Sequence, residues 1–262
     1  MNGDVTVVGL LASLLLIGVA VGISRWQRLG LEGSILVAVG RATGQLLLVG
    51  LGLGLVLADD APLVWSWLWV LGIVVFAAVT IQRRAPAIPG LFRVALTGEV
   101  LTAVLSFAVI FGLSIFPLEA RTLVPVAGMI LGNALSAAVL AARRLVEEFT
   151  DKRDELEARL ALGCSVPDAS RPYLRVVLRT AMTPQIESTK AVGLVFLPGA
   201  MTGLVLAGVD PLDAVMVQLA LMLLILGGVA TVSTVVTLGA GRRLFTPDER
   251  LVPLLREAEG GS

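Results

Sequence analysis

The sequence predicts an all-α, polytopic membrane helix bundle, and three observations predict it. Apolar residues make up 56% of the 262 positions and charged residues only 15%, where a soluble domain carries roughly 25% charge. The apolar residues fall in continuous runs about one bilayer long, not in the alternating pattern of barrel strands. The basic residues are divided very unevenly between the connections. The chain therefore reads as one transmembrane domain, 1–262.

Seven runs are expected to span: 5–23, 35–57, 65–81, 95–116, 125–142, 191–207 and 214–238. Each is about 17 to 25 residues, enough for a helix across roughly 30 Å of hydrocarbon. Asp4 precedes the first run and its first basic residue, Arg25, follows it. A secretory signal has the opposite polarity, so a retained first span is expected. The second run carries Gly40, Gly44 and Gly54, and Gln45 one turn after Arg41. The third begins with Trp65, Trp67 and Trp69, as an interfacial belt would. Near the start of the fourth, Glu99 is expected to reach the cytosolic interface. The fifth has Gly128, Gly132 and Ser136 at four-residue spacing, with Asn133 one turn after Met129. Such small residues let helices approach closely in lipid, within the bundle or across a homodimer.

The sixth run, AVGLVFLPGAMTGLVLAG, is broken. Pro198 has no N–H to give and its ring crowds the preceding turn. Irregular backbone at membrane depth is tolerated only against protein or a wet cavity. Pro198, Met201 and Thr202 are therefore expected beside the pathway, with Gln45, Met129 and Asn133 as further lining candidates. The other reading of the buried amides, Gln218 in the seventh run included, is hydrogen bonding between helices.

Of the 20 Lys and Arg, all but Arg121 fall on one set of connections; Asp59, Asp60, Glu119, Asp210 and Asp213 mark the other. This predicts the N-terminus outside and the C-terminus, with its tail 241–262, in the cytosol.

The longest connection, about 143–184, should form a cytosolic protrusion. Glu148 and Lys152, and Glu155 and Arg159, have the spacing of helix ion pairs. Leu145, Phe149, Leu156 and Leu160 keep an apolar stripe. Gly163 supplies a stop, and Ser165 can cap a new helix with Pro167 in its first turn. Pro172 is expected to break that helix and Pro184 to mark the turn into the sixth run. From the residue before Pro172 onward, Arg171, Arg175 and Arg179 recur every four residues beside an apolar face of Leu174, Val177, Leu178 and Ala181. That suits a helix lying on the membrane surface with its Arg toward lipid phosphates.

Several functions are disfavoured. The net charge is zero, so no nucleic-acid partner is expected. There is no histidine, no carboxylate is expected at mid-membrane depth, and the single thiol, Cys164, sits at a turn. A membrane enzyme is therefore not expected, and no catalytic residue is assigned. A self-contained carrier or channel would need a coupling-ion site. No G-x-x-x-x-G-K-[ST] phosphate loop is present.

Glu157, Ala158 and Gly163 fit the E-A-A-x-x-x-G pattern of ATP-binding-cassette (ABC) importer permeases, with Arg159 in place of the second Ala. RATGQLLLVG (41–50), LVPVAGMILGNALSAAVLA (123–141), RDELEARLALG (153–163), LPGAMTGLVLAG (197–208) and RRLF (242–245) follow in order over about 200 residues. With these pieces the chain resembles the FetB-type permease family, the membrane subunit of a bacterial iron-export ABC transporter. It departs from that family's pattern at Ala200, where a Met is common, and at Leu204, where a Gln is. The resemblance implies an inner-membrane, homodimeric permease that itself binds no cofactor. A separate ABC ATPase subunit would hold ATP and Mg²⁺. It would grip a coupling helix here placed at Glu157, Gly163, Ser165, Pro167, Asp168 and Arg171. The implied cargo is iron. An organic or nucleotide-sugar cargo, or an ATP-independent carrier, is the alternative.

Overall fold

A computed structural model describes residues 7–58, 61–194 and 197–253. Asp4, Asp59, Asp60 and the end of the tail, 254–262, lie outside the described residues. Among the described residues there are nine helices and no strand: α1 (Val7–Trp26), α2 (Glu32–Val56), α3 (Leu63–Arg84), α4 (Leu91–Ile110), α5 (Ala120–Asp151), α6 (Arg153–Ala161), α7 (Val166–Ala191), α8 (Gly199–Leu206) and α9 (Pro211–Arg243). Five of them, α2, α3, α4, α5 and α9, are long and apolar enough to cross a membrane. The chain is a multi-pass membrane protein.

The helices pack as two units, α1–α2 and α3–α9. In the first unit the α1–α2 corner is fixed by buried Ser24. Its hydroxyl donates to Glu32 Oε1 (3.0 Å) and accepts from the Leu31 N–H (3.1 Å). In the second, α4 runs antiparallel to α9, with Thr102 against Gly228 and Gly239 against Val94. Helices α3 and α5 complete a four-helix core containing Ala78, Ile81, Ile130, Ala134 and Val232, all fully buried. A short hairpin joins α3 to α4. Gly90, at φ +65°, closes it in a left-handed conformation, and the Arg243 guanidinium lies 2.7 Å from where a Cβ would stand.

At about 1.5 Å per residue, the 32 residues of α5 measure about 48 Å, well beyond the hydrocarbon. Its last three turns are buried by α7 and by the end of α9, through Phe149, Tyr173 and Phe245 in edge-to-face contacts. Fully buried Leu145 and Leu156 extend this second core, as the apolar stripe predicted.

The structure differs from the sequence expectation in five places. The run 191–207 is not one helix. Helix α7 ends at Ala191, Gly193 takes φ +84°, and an eight-residue α8 starts only after Pro198, so α8 alone is too short to cross. Neither Pro172 nor Pro184 stops α7, which runs 26 residues through both. An interior proline costs about 3 kcal/mol. Burial of Ala169, Tyr173, Val177 and Ala181 against α5 and α9 outweighs that local cost. The same burial puts Val177 and Ala181 of the expected apolar face on protein, while Leu174 and Leu178 stay partly exposed. Glu148 is buried and pairs with Arg144 (2.6 Å), while Lys152 turns to Glu155 (3.9 Å). Lys152 is the residue between α5 and α6, so the i,i+4 register from Glu148 ends there. Finally, a Cβ added at Gly128, Gly132, Gly199 or Gly203 meets no atom of its own unit within 4 Å, so these glycines do not serve tight packing within it. Between α4 and α9 the close approaches are at Gly98, Gly228 and Gly239, where a Cβ would stand 3.3, 3.0 and 2.6 Å from Val232, Thr102 and Val94, and between α9 and α7 at Gly241.

Candidate functional site

Five buried polar side chains lie on the packed stretches of α4 and α9, namely Glu99, Thr102, Ser106, Ser233 and Thr237, with Ser66 buried on α3. Glu99 lies more than two turns into α4 and is completely buried, not at the interface; neither carboxyl oxygen has a hydrogen-bond partner. Its stripe continues through Thr102, whose hydroxyl donates to the Gly228 carbonyl (3.4 Å), and Ser106. On the facing stretch of α9, the buried hydroxyls of Ser233 and Thr237 have no partner either. A carboxylate therefore does stand inside the bundle. Its signal in the sequence was present: a Glu in an apolar helix with Thr and Ser at i+3 and i+7.

The residues expected to line a pathway divide among three helices. Gln45 is exposed on α2, in the first unit. Met129 and Asn133 lie on α5; the Asn133 amide is exposed and donates to the Met129 carbonyl of its own helix (2.7 Å). Pro198 is the residue before α8, Met201 is half-buried, and exposed Thr202 donates to the Pro198 carbonyl (3.1 Å). Helix α8 buries no residue and packs on α9. Gln218 fixes it there, its side-chain oxygen accepting from the Met201 N–H (3.3 Å). Gln218 is thus an anchor between helices. The exposed face of α5 presents Gly128, Gly132, Asn133 and Ser136 together. Among the described residues no three His, Cys, Asp or Glu side chains form a metal-holding group.

The expected coupling residues come together at one elbow. Helix α6 ends at Ala161, and Gly163, two residues on, takes φ +86°. Ser165 then caps α7: its oxygen accepts from the Asp168 N–H (3.4 Å) and its hydroxyl donates to Asp168 Oδ2 (2.7 Å). Pro167 sits in that first turn. Glu157 is held by Arg153 (2.8 Å), and Arg171 stands exposed one turn beyond the cap. Leu162, 85% exposed, projects from the turn; the sequence reading passed over it. Behind the turn, Arg159 lies 5.8 Å from the Tyr173 ring centre and pairs with Glu155 (3.4 Å). The approach of the Tyr173 hydroxyl, with Arg159 and Lys152, holds the Glu155 carboxyl below its ordinary pKa against a smaller desolvation effect. Burial, and then Glu155, raises Tyr173.

The family model described as Uncharacterised protein family (UPF0014) matches residues 7–245. The UPF0014 membrane protein STAR2 of Oryza sativa subsp. japonica is 35% identical over 226 residues, covering 86% of this chain and 79% of the relative. The Probable iron export permease protein FetB of Escherichia coli (strain K12) is 35% identical over 237 residues, 89% of each. The UPF0014 membrane protein YjkA of Bacillus subtilis (strain 168) is 30% identical over 239 residues, 91% of this chain and 95% of the relative. No solved structure matches.

Proposed function

The chain belongs to the UPF0014 family, and from that premise we propose that it is the permease subunit of an ABC exporter whose cargo is a metal ion, iron by likeness to the FetB relative. The observation that carries the coupling half of this reading is the α6–α7 elbow. A capped, sharply turned tip exposes a leucine at the end of a rigid rod, α5 with α7 packed along it. A groove on an ATPase can grip such a tip. Closure of two ATPases on ATP and Mg²⁺ would move it, and α7 would carry the motion to residues 192–194, where its helix has ended, and to α8. Helix α5 would carry it to Asn133.

The charge partition supports seven crossings with the N-terminus outside, the sixth combining α8 with the chain that precedes it. The exposed Gly128, Gly132 and Ser136 of α5 suit a second copy of the chain, which would place Met129 and Asn133 of both copies about one pathway. Pro198, Met201 and Thr202 are proposed to line the same route. Hydrolysis belongs to the partner, and no catalytic residue is assigned to this chain.

The test is co-purification of the permease with its ATPase, with the ATPase rate measured in proteoliposomes. Leu162→Asp should abolish both recruitment and stimulation while leaving the melting temperature unchanged, since the side chain touches little. Normal recruitment and stimulation in that variant would overturn the docking role of the elbow.

A further inference from the structure

We propose that the groove between α7 and the C-terminal end of α9 is a binding site for one anionic phospholipid. It holds about 510 Å³, within the size range of small-molecule sites. Its walls are Leu174 and Leu178 of α7 and Leu238 of α9, and three arginines, Arg171, Arg175 and Arg242, stand at it. Arg171 and Arg175 share a face at i,i+4. None of the three has an acidic partner among the described residues, although Arg144, Arg153 and Arg159 nearby all do. The one acid lining the groove, Asp168, is engaged by Ser165. Three guanidinium groups without ion-pair partners, lining one hollow against a single carboxylate, match a phosphate, which they can bind in bidentate fashion.

The depth of the groove selects a lipid over a soluble anion. Helix α9 is long and apolar enough to cross the membrane, and Arg242 and Arg243 form its last basic turn. The rim therefore stands where α9 leaves the hydrocarbon, at headgroup level. Leu238, 43% exposed, lies one turn further in, where an acyl chain would run. A glycine shapes the floor: Leu174 Cδ2 comes within 2.9 Å of where a Cβ on Gly241 would stand. A nucleotide or an acidic peptide would satisfy the arginines but leave the leucine wall uncovered. Placing the site here gives the arginines of α7 a partner while Val177 and Ala181 of the same helix pack on protein.

The test is native mass spectrometry of the purified full chain in detergent, with phosphatidylglycerol and phosphatidylcholine added in equal amounts. The wild type should retain one phosphatidylglycerol, at least tenfold in preference to phosphatidylcholine. Arg175→Gln/Arg242→Gln should lower that preference to near unity. Arg179→Gln, an exposed arginine of the same helix outside the groove, should leave it intact. If the double variant does not fold, Arg175→Gln alone decides. Equal retention of the two lipids by the wild type would overturn the proposal. So would full retention by the variants, or complete displacement of the lipid by millimolar inorganic phosphate, which would mark a soluble-anion site.

Discussion

Glu99 should be a net cost to the fold. Its two oxygens are completely buried and make no hydrogen bond. Even uncharged, each unsatisfied polar group costs about 1–3 kcal/mol, and an ionised carboxylate without a partner would cost several kcal/mol more. The side chain lies on the close-packed α4 face among Ala95, Thr102 and Ala103, with Val232 across the seam from Gly98. Leucine approximates its volume and removes both oxygens. Glu99→Leu should therefore stabilise the protein by about 1–4 kcal/mol, the range seen when buried charged groups give way to apolar ones. Glu99→Gln keeps two unpartnered polar atoms and should stay within about 1 kcal/mol of the wild type. The assay is reversible unfolding in mixed micelles, followed by circular dichroism, with export measured in the same variants. If Glu99 serves transport, the stabilised leucine variant should lose export. The reasoning fails if Glu99→Leu is destabilised by more than about 1 kcal/mol while Glu99→Gln is neutral, because that pattern means that the carboxyl has a partner that stabilises the fold.

Two further outcomes follow from the packing and from the elbow. Gly228→Ala puts a Cβ 3.0 Å from Thr102 Cγ2 and 3.1 Å from Ile130 Cγ2. Both neighbours are β-branched and stiff, so the substitution should cost about 1–3 kcal/mol in the same unfolding assay. Gly227→Ala, which meets no atom of its own unit, should be neutral or slightly stabilising. At the elbow, the Glu155 pKa is depressed by Tyr173, Arg159 and Lys152. Its contribution is therefore present above the unfolded value of about 4.3 and lost as the pH falls through the folded value. Amide exchange in α6, scaled for intrinsic rate, should rise across that window. Glu155→Gln should flatten the rise, and an unchanged profile in that variant would exclude Glu155 as its source.

Much of the bundle was legible because its signal is local. Runs of apolar residues placed α3, α4, α5 and α9 within a few residues at most ends. Gly163 and the Ser165 cap with Pro167 each act through the backbone of one turn, and the structure contains them as read. What was not legible depends on neighbours distant in sequence. Pro172 and Pro184 carry a strong local penalty, and only the burial of Tyr173, Val177 and Ala181 by α5 and α9 reveals that it is overruled. The spacing of Gly128 and Gly132 resembles that of a packing motif, yet the intimate contacts use Gly98, Gly228 and Gly239, which show no such repeat.

Glu99 brings these failures to one physical cause. Its run was read as beginning at 95, which put the carboxylate at the membrane edge. The helix begins at Leu91, and the bundle does not end where the hydrocarbon does. Helix α5 carries the packed core further, under α7 and beside the end of α9. A residue near the edge of the lipid can thus be fully inside the protein. The same extension places α7 against both long helices, between the elbow and the seam that contains Glu99. A displacement of the elbow need not cross lipid to reach that carboxyl; it has only to shift α7 along the protein surface that already buries Val177 and Ala181. The polar seam and the elbow are then two ends of one continuous packed interior. For that reason a substitution at Glu99 should alter ATPase stimulation, although Glu99 is far from the tip that the ATPase would hold.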